Sequence, residues 1–95
     1  MNYAFIGWCK EDTHDKVWGA IELGTAKYVT FWGRRGKKLQ TKSLNISSYG
    51  LTKMIRQKTA KGYASVDKTN LDKVYPEFEQ DLEKTAMWSM LMGTV

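Results

Sequence analysis

Residues 16 to 23, KVWGAIEL, place Val17, Gly19, Ile21 and Leu23 on one side of an extended chain and Trp18, Ala20 and Glu22 on the other. That alternation predicts a strand with one buried face. LGTAK then reads as a turn, and KYVTFW, residues 27 to 32, as the next strand, rich in aromatic and β-branched types. With a side-chain period of two, Val29 and Phe31 share one face, while Tyr28, Thr30, Trp32 and Arg34 share the other. Val29 and Phe31 are expected to face the core, and Trp32 and Arg34 to face outward together. Gly33 and Gly36 mark a turn or bulge, after which KLQTKSL, residues 38 to 44, returns as a third strand. NYAFIGW near the start and YASV after Gly62 are further strand candidates.

The period changes at the serines. Leu51, Met54, Ile55 and Lys58 fall at i, i+3, i+4 and i+7, which predicts a helix over residues 48 to 61. Ser47 or Ser48 supplies its N-cap and Gly62 its stop. DKTNLDK reads as a polar connection with room for a helical turn, and Pro76 suits the first turn of a final helix from about 75 to 91. Tyr75, Phe78, Leu82 and Ala86 or Met87 line one face of that helix, with Glu77, Glu79 and Asp81 at its N-terminal end. At its far end Met87, Trp88, Met90, Leu91 and Met92 surround the helix, so this end is either core or an apolar contact surface. In the second case Trp88, Met90, Leu91 and Met92 are the candidate contacts for a protein partner or for self-association. Strands followed by helices within 95 residues give an α+β class and one compact domain.

Composition narrows the function. A hydrophobic content of 42% with 26% charge is that of a globular chain. No apolar run approaches a membrane span and no basic leader with a long hydrophobic stretch is visible, so no membrane partner and an intracellular setting are expected, cytoplasmic or nucleoid-associated if bacterial. Cys9 is the only cysteine and His14 the only histidine, which leaves no internal disulfide and no Cys/His zinc set. Cys9 reads as a small buried apolar residue. Phosphate-cradling GxxxxGK[ST], GxGxxG and GxSxG motifs are absent, and EDTHD reads as a polar surface loop. The expectation is a non-enzymatic protein without a cofactor.

Charge is unevenly distributed. Residues 1 to 26 sum to −2 and residues 63 to 95 to −3, whereas residues 27 to 62 hold ten Lys or Arg and no acid. Cations without local acidic partners point to an external anion, nucleic acid before membrane, because no long amphipathic lipid-binding helix accompanies them. Within this block YVTFWGRRGKK sets a tryptophan against four cations. An outward Trp32 offers a flat stacking surface, Arg34 or Arg35 a bidentate fork for phosphate, and Lys37 and Lys38 less directional attraction. Alternatively Trp32 packs inward, or Arg34 stacks on it as a surface cation–π pair.

The segment from about His14 to Asp67 resembles a WGR domain, named for Trp-Gly-Arg, here Trp32-Gly33-Arg34. A strand ending in FWGRRG, a polar strand after it, a helix beginning at the serines and the close LTKMIRQKTAKGY carry the resemblance. It implies a small, mostly antiparallel sheet with one helix packed on a face, here residues 1–70, to which residues 71–95 add a C-terminal helical extension packed on the same domain. WGR domains accompany the catalytic domain of DNA-damage-responsive poly(ADP-ribose) polymerases. They also occur in bacterial proteins described as molybdate-metabolism regulators and in short stand-alone proteins. In the polymerases the domain binds DNA near a strand break, the motif Trp meeting the terminal sugar and the motif Arg the backbone. Those roles fall on Trp32 and Arg34, with Lys42, Lys58 and Lys61 as neighbours in a basic face. The chain departs from the polymerase pattern in its second arginine, Arg35, in Gly50 within the helix, and in its acidic-to-apolar C-terminal segment. The function expected is DNA binding, with recognition of ends or nicks; the alternative is a protein-interaction module or small regulator that docks through the C-terminal segment.

Overall fold

Two runs without a charged residue, VWGAI and YVTF, build the centre of the molecule. In the computed structural model, which describes residues 2–11 and 13–85, they lie in strands β2 (His14–Gly24) and β3 (Lys27–Arg34). Strands β1 (Tyr3–Glu11), β4 (Gln40–Asn45) and the two-residue β5 (Ala64–Ser65) complete an antiparallel sheet of order β4-β3-β2-β1-β5. Helix α1 (Ser48–Ala60) follows β4, and α2 (Lys68–Val74) and α3 (Phe78–Glu83) follow β5. The α+β class expected from the sequence, a small antiparallel sheet with helices, is the one the chain adopts.

Both faces of the sheet are covered, which corrects the expectation of a single buried face. Val17, Ile21 and Phe31 pack with Leu39 and with Leu71, Tyr75, Phe78 and Leu82 from the α2–α3 region. Trp18, Ala20 and Tyr28 pack on the other side against Leu51 of α1, with Met54, Ile55 and Tyr63 around them. Central strands buried on both faces carry apolar residues at successive positions, and five consecutive residues without a charge are the trace of that here. The face that holds Trp32 is therefore a helix-packed face: Tyr28 and Thr30 are 4% and 3% exposed, and Trp32 is half-buried. Leu23, expected inside, is 44% exposed, because a register irregularity between Glu22 and Gly24 turns it away from the core.

Phe31 organises the α2–α3 side. Its ring meets Tyr3 edge-on at 6.2 Å and Phe78 at 5.2 Å, and Phe78 meets Tyr75 at 5.6 Å. This aromatic chain needs the missing side chain of Gly19, where an added Cβ would lie 2.3 Å from Phe31 Cζ and 2.6 Å from the Phe5 carbonyl oxygen. Only glycine leaves room there.

The helices end by distinct local signals. Ser47 Oγ accepts from the Gly50 amide at 3.1 Å, which starts α1 one residue after the serine. At its other end Gly62 takes φ +104°, its amide donates to the Thr59 carbonyl and that of Tyr63 donates to the Lys58 carbonyl. This is a Schellman closure, and it fixes Tyr63 beside the last turn of α1. Of the C-terminal helix expected from about 75 to 91, the described residues show the short α3, and the connection DKTNLDK, with its expected room for a helical turn, forms the separate helix α2. Asp67 caps α2 by accepting from the Asn70 amide at 2.7 Å, and Tyr75 leaves helical geometry at φ −142°, ψ 70° immediately before Pro76. A residue before proline is pushed out of the helical region, so Pro76 separates two helices and does not open one long one. Ala86, Met87, Trp88, Met90, Leu91 and Met92 lie outside the described residues, as does Asp12.

Candidate nucleic-acid interface

The register places the sequence-predicted residues in rows across the α1 side of the sheet. Trp18 pairs with Trp32 and Trp32 with Gln40; one strand repeat away Thr30 pairs with Lys42; one repeat the other way Lys16 pairs with Arg34. Residues two apart on a strand share a face and are separated by about 7 Å. An aromatic row is thus bracketed by a cationic residue at each side. Trp32 and Arg34 do share a face, as the strand phase predicts.

Helix α1 closes this arrangement from above. Lys58 holds its ammonium 5.5 Å from the centre of the Trp18 ring, and Met54 lies one turn earlier on the same helix. Between helix and sheet lies an open cleft of about 250 Å³ whose walls include Trp18, Trp32, Lys42, Met54, Lys58 and Tyr63. Trp18 is 3% exposed and serves as the floor, while half-buried Trp32 and Tyr63 supply accessible ring surface. Lys58 and Tyr63 also border a second, more polar depression with Lys16, Lys61, His14, Cys9 and Glu11. The two concavities share a wall.

Electrostatics favour an anion here. Burial, followed by the charges of Lys61 and Lys16, pushes the Lys58 ammonium below its ordinary pKa. An arriving negative charge would relieve that repulsion. Of the ten cations between residues 27 and 62, Arg35 alone joins an ion pair among the described residues. Trp32, Lys42 and Lys58 come together in the cleft, Lys61 stands at the adjoining depression, and Arg34 extends the same face at the β1–β2 turn, where its Nη2 donates to the Thr13 carbonyl at 2.9 Å. Lys37 and Lys38 are exposed in the β3–β4 connection.

Arg35 lies elsewhere. Gly33 takes φ +153° in a crowded place, where a Cβ would stand 3.0 Å from Leu39 Cδ2, and the chain stays paired with β2 through it, so Arg35, one residue after Arg34, falls on the opposite, α2–α3 side. Its Nε and Nη2 donate to the Asp15 carboxylate at 2.9 and 2.7 Å, its Nη1 donates to the Val74 carbonyl, and its guanidinium lies 5.7 Å from the Trp8 ring centre. Trp8 Nε1 donates to the same carboxylate at 2.7 Å. The fork is occupied, and Arg35 ties the strands to α2.

That pair has a pH signature. The Arg35 hydrogen bonds, helped by Trp8, lower the Asp15 pKa from 3.8 to about 2. A depressed carboxylate pKa contributes stability that is complete above the unfolded value and disappears as pH falls through the folded one. Melting temperature should therefore drop between about pH 4 and pH 2, and Asp15→Asn should have a lower melting temperature at pH 7 with a flatter acid limb. Thermal melts followed by circular dichroism across that range check it; parallel acid limbs would contradict the pairing.

Trp18, Tyr63, Met54 and Lys16 were not among the site residues expected from sequence. Trp18 had a readable signal, its two-residue phase with Ala20, but its apposition to Trp32 depends on the β2–β3 register. Tyr63 and Lys16 reach the site through the α1 closure and the β2 strand, which join residues far apart in the chain. No family model, curated protein or solved structure matches the chain.

Proposed function

We propose that the chain is a non-enzymatic, intracellular DNA-binding module of WGR-like type whose contact surface is the α1-side cleft and its rim. One observation carries the reading: Trp32 lies in an open cleft with Lys42 and Lys58, in register with Arg34, and none of these three cations has an acidic partner among the described residues. Aromatic surface and unpaired cations at one place suit a nucleotide, which offers flat faces and phosphate together. The Trp32-Gly33-Arg34 resemblance supports the same residues. Arg34, Lys42, Lys58 and Lys61 meet the backbone, Lys37 and Lys38 add attraction from the adjoining loop, and Arg35 holds the scaffold under them.

Titration of nicked, blunt-ended and covalently closed DNA at two salt concentrations tests this. If about five cations displace counterions, log K falls with log salt at a slope of roughly −4 to −5. Trp32→Ala and Arg34→Ala should each weaken binding by about tenfold, at about 1.4 kcal/mol per contact. Absence of binding at low salt would overturn the reading. Equal affinity for closed and broken DNA would remove end recognition and leave DNA binding in place.

A further inference from the structure

We infer that the group the cleft accepts is a single unpaired nucleobase, so that the preferred ligand is single-stranded DNA or a frayed end and not the intact duplex. The inference rests on the DNA-binding reading above and specifies what enters the site. Three observations carry it.

First, Trp32 does not project from the surface. It is half-buried in a cleft between α1 and the sheet, with Trp18 beneath, so a partner must enter to stack on it. Inside a duplex each base face is covered by its neighbours, and only edges and backbone are presented. An unpaired base has its faces free.

Second, the volume is small. At about 250 Å³ the cleft lies below the roughly 300 to 1,000 Å³ of sites for drug-sized ligands, which suits one ring system. Besides the two tryptophans its apolar walls are Met54 and Leu44, and its polar lining residues, Thr30, Lys42, Lys58 and Tyr63, all carry groups able to donate. A thymine, with acceptor oxygens and a methyl group, matches both kinds of wall.

Third, cations are placed along the strands at both sides of the aromatic row. Arg34, with Lys16 opposite it on β2, stands one strand repeat of about 7 Å beyond Trp32, and Lys42 stands on β4 opposite Thr30, one repeat from Trp32 in the other direction. A backbone running along the strand direction through these positions keeps its phosphates on cations while the base between them turns down onto Trp32. Lys58, held over Trp18, lines the same cleft.

Fluorescence anisotropy with a short labelled oligo(dT), a chain of equal length and charge in which every base is replaced by an abasic site, and a blunt duplex of the same length separates the outcomes. On the wild-type protein oligo(dT) should bind about tenfold tighter than the abasic chain, and tighter than the duplex. Trp32→Ala should reduce oligo(dT) to the abasic level and leave abasic binding unchanged, while Trp32→Phe, which keeps a ring, should retain most of the preference. Equal affinity for oligo(dT) and the abasic chain, or a duplex bound more tightly than oligo(dT), overturns the inference while DNA binding stands. Failure of all three probes to bind at low salt overturns the DNA-binding reading and the inference with it. The wild-type comparison does not depend on any variant folding.

Discussion

Gly19→Ala should destabilise the protein by about 3 kcal/mol, at the upper end of the cost of overpacking a core, and lower the melting temperature by roughly 10 to 20 °C in a domain of this size. The added methyl would stand 2.3 Å from Phe31 Cζ and 2.6 Å from the Phe5 carbonyl oxygen. Neither neighbour has space to retreat. Phe31 is fully buried between Tyr3 and Phe78, and the carbonyl belongs to β1, which pairs with β2 on both sides of a register shift between Tyr3 and Phe5. Gly24→Ala is the matched control, since a Cβ there meets nothing within 4 Å and should change stability by less than about 0.5 kcal/mol. Urea denaturation of the two variants measures both. A Gly19→Ala loss below about 1 kcal/mol would mean that the Phe31 ring does not rest on Gly19.

The second large effect concerns binding. Reversing Lys42 and Lys58 together to glutamate should lower DNA affinity by about a hundredfold or more at low salt, because two phosphate contacts become two repulsions. The alanine pair should instead flatten the salt slope by about two, one for each lost contact. Net charge alone predicts the same loss wherever the reversals are made, so the control is Lys73 and Lys84, which belong to the α2–α3 region. Reversing those two changes the formal charge by the same amount and should cost at most a few-fold. Equal losses from both pairs would place binding in the overall field of the protein and not in the cleft.

The parts of this fold that local chemistry specifies were readable from the chain. Strand phase in residues 27 to 32 put Trp32 and Arg34 on one face, the serine cap and Gly62 bounded α1, and the acid-free block marked the basic surface. What escaped depends on contacts between distant residues. Trp18 and Ala20 looked like the second side of a half-exposed strand; they are buried because α1 returns over them, 30 residues later. Arg35 looked like a second phosphate fork beside Arg34, yet it falls on the opposite face of the strand, where Asp15, Trp8 and Val74 engage it. Pro76 stands at both a stop and a start: Tyr75 before it leaves helical geometry and ends α2, and α3 begins two residues after it. Seven-residue α2 was legible only as room for a helical turn in DKTNLDK, because its one buried residue, Leu71, is too little for a periodic signal.

The central claim is that the cleft between α1 and the sheet, with Trp32 at its heart, is the nucleic-acid contact. The most direct measurement is a heteronuclear NMR titration of the ¹⁵N-labelled protein with oligo(dT), following assigned indole and backbone amide signals. The account predicts that the Trp32 indole and the amides of Lys42, Lys58, Gly62 and Tyr63 shift, while the Trp8 indole and the amides of Leu71 and Val74 on the opposite side stay in place. Shifts confined to the α2–α3 side, or a Trp32 indole signal unmoved at saturation, would contradict it.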